Sequence, residues 1–74
     1  MRDTLGMSEE ALWKLAEQVM GTDLYLTFWL RHNAEFSSEQ IAEMLRITRQ
    51  AVDARLAKAA RLLAEEIDKE RRVA

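Results

Sequence analysis

Apolar residues recur along this chain at helical spacing. Leu12, Leu15, Ala16, Val19 and Met20 fall at three- and four-residue intervals and predict one stripe of an amphipathic helix. Ser8 precedes the stripe as an N-cap, with Met7 and Leu12 placed as a hydrophobic staple across it. This first helix is expected to run to about Met20, where Gly21 stops it and Thr22 starts the next. The second helix is denser. Leu24, Tyr25, Leu26, Phe28, Trp29 and Leu30 cover most of its circumference, which predicts central burial as far as about Asn33.

After Asn33-Ala34-Glu35 the chain gives two helix starts in quick succession. Ser37 with Gln40 three residues later forms a capping box, and Phe36 with Ile41 forms a staple across it. The same logic repeats at Thr48, flanked by Ile47 and Val52. Two starts this close leave room for a helix from about Ser38 to Leu45 and a turn at Arg46-Ile47-Thr48. Ile41, Ala42 and Leu45 share a face, as do Val52 and Leu56. Ala42 supplies the small side chain that two steeply crossing helices need where they meet. The segment 37–57 therefore predicts a helix-turn-helix inside an all-α domain of about four helices, with 58–72 as a C-terminal helix extension and 1–74 as a single domain.

The residues IAEMLRITRQAVDARL resemble the helix-turn-helix of region 4 in the sigma-70 family, and are also similar to that of LuxR-type regulators. Those sequences read IAE-x-L-G-I-S-x-x-x-V-x-x-R-L. Ile41, Ala42, Glu43, Leu45, Ile47, Val52, Arg55 and Leu56 match as they stand, and Thr48 replaces a Ser while keeping the cap. The resemblance extends over about Phe28 to Leu63. It implies binding to double-stranded DNA and contact with RNA polymerase. Arg46 stands where the family carries Gly, which predicts backbone strain in the turn. Asp53 stands where Lys or another polar residue is usual; it repels phosphate but can accept from a cytosine amino group.

The last helix is longer than reading DNA requires. Nothing interrupts it from Arg49 to about Arg71, roughly 33 Å. Val52, Leu56, Ala59, Leu63 and Ile67 recur at helical intervals. Beyond the motif, Leu62, Leu63 and Ile67 allow two arrangements: packing back on the first helix, or a seam with a second copy of the chain or another partner. A homodimer would place two reading helices on two half-sites.

Composition narrows the class. The chain has 74 residues, no Cys and no Pro. Disulfides and cysteine-ligated zinc are excluded, and no cofactor is expected. No apolar run approaches the roughly 18 residues of a membrane span, and Met1-Arg2-Asp3 does not open a signal peptide, so the expected compartment is the cytoplasm. An enzyme is not expected. His32 is the single histidine, without metal-ligand spacing, and Ser37 and Ser38 read as caps. Trp13 and Trp29 read as core residues, and Met7, Met20 and Met44 as gap-fillers.

Charge changes the picture most. The whole chain carries −2, an unusual sign for a DNA-binding domain. Its distribution is uneven. Residues 46–61 hold Arg46, Arg49, Arg55, Lys58 and Arg61 against Asp53 alone, a local +4. The turn and the helix after it are the one strongly basic segment. The expectation is a small transcriptional regulator whose helix opening at Thr48 enters the major groove. Arg49 suits guanine, Gln50 adenine and Asp53 cytosine, while Arg46, Arg55 and Lys58 suit phosphates. Arg55 has a second option, an ion pair with Glu43 or Glu39. The alternative class is a protein-interaction module that docks on RNA polymerase or an anti-sigma-like partner without reading DNA, favoured by the acidic first half and Asp53.

Overall fold

A computed structural model describes residues 8–73, and every regular element in that range is helical. Helix α1 spans Glu9–Val19, α2 Thr22–His32, α3 Ser38–Leu45 and α4 Arg49–Val73. The fold is a small all-α domain with a long C-terminal helix. At 25 residues, α4 is about 37 Å long by helical rise and accounts for the 41 Å long axis of the molecule. It touches all three other helices, whereas α1 and α3 do not meet.

The caps sit where side-chain chemistry places them. The Ala11 N–H donates to Ser8 Oγ at 3.2 Å. Met7, the expected staple partner there, lies outside the described residues. At α3 the capping box is complete. The Gln40 N–H donates to Ser37 Oγ at 3.1 Å, and the Ser37 N–H donates to Gln40 Oε1 at 2.9 Å. At α4 the Ala51 N–H donates to Thr48 Oγ1 at 3.0 Å. Arg46 ends α3 in the left-handed region, at φ 59° and ψ 44°. Its N–H reaches the Glu43 carbonyl at 3.4 Å and the Ile47 N–H reaches that of Ala42 at 3.0 Å, a Schellman closure that reverses the chain. A non-glycine residue there costs about 1–2 kcal/mol, which is the strain expected of Arg46.

Two cores lie along α4. The motif core joins Leu30, Ile41, Ala42 and Val52, with Phe36, Leu45, Ile47 and Leu56 packed around them. Phe36 and Ile41 are thus together, as a staple requires, and buried Ala42 lies in the same contact. The second core joins Leu15, Ala16 and Met20 of α1 to Ala59, Leu63 and Ile67 of α4. Trp13 sets its ring edge-on against Tyr25 at 6.2 Å and Phe28 at 5.5 Å on its border. Between the cores stands Thr27, the one fully buried polar side chain among the described residues.

Three expectations are corrected here. The second helix is not buried all round: Leu26 is 42% and Trp29 38% exposed. Helix α2 packs on α1, α3 and α4 through Leu24, Tyr25, Thr27, Phe28 and Leu30, and no other described helix covers its remaining side. Trp29 is therefore not a core residue. Met44 is not a gap-filler either; it stands on the outer side of α3 at 48% exposure. No helix among the described residues is long and apolar enough to cross a membrane.

Candidate nucleic-acid interface

The start of α4 is presented outward because its apolar residues leave it no other orientation. Val52 and Ala59 are fully buried, and Leu56 packs beside them. The opposite side of the same helix then faces solvent. Arg49, Gln50, Asp53 and Lys58 are all exposed on α4, with Arg46 and Thr48 exposed in the turn before it. Six of the seven expected contact residues are thus exposed along the turn and the first half of α4, with Arg49 and Lys58 on opposite flanks of the helix.

The seventh, Arg55, is placed differently. It is half-buried, and its guanidinium donates from Nη1 to Thr27 Oγ1 at 3.5 Å. Neither expected ion pair, with Glu43 or with Glu39, is present among the described residues. Glu39 turns instead to Arg49, Oε2 to Nη1 at 3.7 Å. Arg49 also approaches Asp53, Nε to Oδ2 at 3.8 Å. The first cation of α4 therefore lies between two carboxylates. These pairs are solvent-exposed, so each holds Arg49 by about 1 kcal/mol or less, and a phosphate or a guanine edge can displace them.

Several residues of this surface were not singled out as contacts from the sequence. Ala54, Ala57 and Arg61 follow Gln50 on the exposed face of α4, at the spacing i+4, i+7 and i+11. That periodicity was the available signal. Arg31, at the end of α2, joins Ser37, Ser38, Glu39 and Arg49 around an open surface depression. Only the tertiary fold brings Arg31 beside Arg49.

The expected partner-interface residues separate. Leu63 and Ile67 are buried in the second core with α1, so the back-packing arrangement is the one adopted. Leu62 is half-buried at the border of that face. His32 ends α2 with its ring 4.5 Å from that of Phe28. Partial burial, and secondarily the charge of Arg31, lowers its pKa below the ordinary 6.5. Among the described residues no cluster of His, Asp and Glu has the makings of a metal site. No family model, curated protein or solved structure matches the chain.

Proposed function

We propose that this chain binds double-stranded DNA as a small sequence-specific regulator, with the first half of α4 in the major groove. One observation carries the reading. In a chain of net charge −2, the only strongly basic segment is the turn and first half of a capped helix, where Arg46, Arg49, Lys58 and Arg61 are exposed to solvent. Arg49 and Gln50 offer bidentate donors to guanine and adenine edges, and Asp53 offers an acceptor to cytosine. Arg46, Lys58 and Arg61 are set to meet phosphates on either side. The resemblance of residues 41–56 to sigma-70 region 4 supports the same reading.

The test is binding to random duplex DNA across a salt series. Affinity is expected to fall steeply with salt, about 0.9 in log–log slope per phosphate neutralised. The double variant Arg49→Ala/Lys58→Ala is expected to bind more weakly and with a shallower slope. Absence of binding at low salt by a fully helical protein refutes the reading.

A second reading has its own observation. Leu26 and Trp29 are exposed on α2, and no charged residue lies between Asp23 and Arg31. An uncharged apolar strip of this kind suits a protein partner, for which RNA polymerase or an anti-sigma-like protein is the proposal. Under this reading Trp29→Ser abolishes binding to purified polymerase, and duplex DNA is not bound.

A further inference from the structure

The contact between Arg55 and Thr27 joins residues 28 positions apart at the seam of the two cores. On α2, Leu24, Tyr25 and Phe28 belong to the α1 side and Leu30 to the motif side. Thr27 falls between them and is 0% exposed. On α4, Val52 and Leu56 belong to the motif side and Ala59 to the α1 side, and Arg55 stands between them. The Thr27 hydroxyl donates its proton to the Asp23 carbonyl at 2.8 Å. Its remaining acceptor capacity is what the Arg55 guanidinium meets. The apolar packing around this pair is non-directional, whereas a hydrogen bond between two helices selects one relative rotation. Gln50 and Asp53 ride on the same rigid helix as Arg55, within about one and a half turns toward its N-terminus.

We infer that Arg55 is a positioning residue: its bond to Thr27 fixes the rotation of α4 on α2 and so aims the reading face, and it does not serve as a phosphate contact. The inference rests on the DNA-binding reading for its functional half. Precision matters at such a site, because side chains that read base edges must be held within about 0.5 Å and 10–20°. The stem of Arg55 also covers apolar surface while its head reaches the hydroxyl, which explains why it is half-buried on an otherwise exposed basic segment.

Thr27→Val, Arg55→Met and the double variant separate the possibilities. Thr27→Val keeps shape and net charge and replaces the hydroxyl by a methyl, removing its bonds to Arg55 and to the Asp23 carbonyl. In thermal unfolding, each single change is expected to lower Tm by at most about 4–8 °C, since the contact is long, and the double by no more than the larger single effect. Duplex binding is then measured at a temperature where every variant is fully folded. Thr27→Val and Arg55→Met are each expected to lose about two- to tenfold in affinity at unchanged salt slope, although Thr27 cannot touch DNA. Additive Tm shifts overturn the bond between the two residues. A slope that falls by about one in Arg55→Met, with Thr27→Val binding as wild type, makes Arg55 a phosphate contact and overturns the inference. Unchanged affinity in both variants reduces the pair to a stability element and overturns it too. If the wild type binds no duplex, the DNA reading itself fails and the aiming role with it, while the melting data still decide the bond.

Discussion

The two cores along α4 are built by different means. The motif core is assembled from short, individually terminated pieces: a capping box at Ser37, a left-handed stop at Arg46 and a hydroxyl cap at Thr48, all within 12 residues. The α1 core has one hydroxyl cap, at Ser8, and relies on aromatic edges from Trp13, Tyr25 and Phe28 against a long uninterrupted helix. The first arrangement specifies angles and exposes one basic face. The second supplies buried area and anchors the helix that carries that face. A short helix such as α3, only eight residues, is marginal by itself and depends on the packing around it. The helix-turn-helix is therefore local in its specification and global in its stability.

The largest expected effect tests whether these cores are one cooperative unit. Ile41→Ala in the motif core and Ile67→Ala in the α1 core are each expected to cost about 2–5 kcal/mol. Because α4 runs through both, each should melt in a single transition seen equally by circular dichroism and by tryptophan fluorescence. If Ile67→Ala gives two separated transitions, the cores are independent and the comparison breaks.

Next in size are the devices that terminate α3. Ser37→Ala removes the capping-box acceptor and is expected to cost about 1 kcal/mol. Arg46→Gly is expected to stabilise by a similar amount, about 1 kcal/mol, by relieving the left-handed backbone at φ 59°. The same variant removes a cation from the turn, so it should weaken DNA binding while raising Tm. Urea unfolding and duplex titration of one sample read both signs. A destabilised Arg46→Gly protein would show that the turn draws support from the Arg side chain.

The smallest effect belongs to the α1 side. The His32 pKa is lowered by burial and by Arg31, so the unfolded chain binds the proton more readily. The neutral ring contributes stability above the ordinary 6.5, and that contribution is lost as pH falls toward the lowered folded value. A modest fall in Tm over that interval is expected in the wild type and a flatter profile in His32→Gln. Identical profiles would show that His32 is indifferent to its place beside Phe28.

Much of this was legible in the residues. Caps are local chemistry, so Ser8, Ser37, Gln40 and Thr48 marked helix starts correctly, and the spacing of Val52 to Ile67 marked the buried face of α4. The strain at Arg46 was legible because the turn demanded a left-handed residue where no glycine stood. What escaped depended on how many neighbours a helix finds. Leu26 and Trp29 are apolar yet uncovered, because so few helices surround α2 that one of its sides stays open to solvent. Thr27 looked unremarkable in a run of apolar residues, but it is the polar point on which α2 and α4 meet. The bracketing of Arg49 by Glu39 and Asp53 also needed α3 folded back beside α4.

The central claim is that the exposed face of α4 reads base sequence. Selection of bound sites from a random duplex library tests it most directly. The expected result is one enriched short sequence, with a changed preference at a single base position in Gln50→Ala. An enriched palindrome would add that two copies bind together, through surfaces other than the buried Leu63 and Ile67. Retention of duplex DNA with no enriched sequence, or with an enrichment that Gln50→Ala leaves unchanged, would contradict the claim.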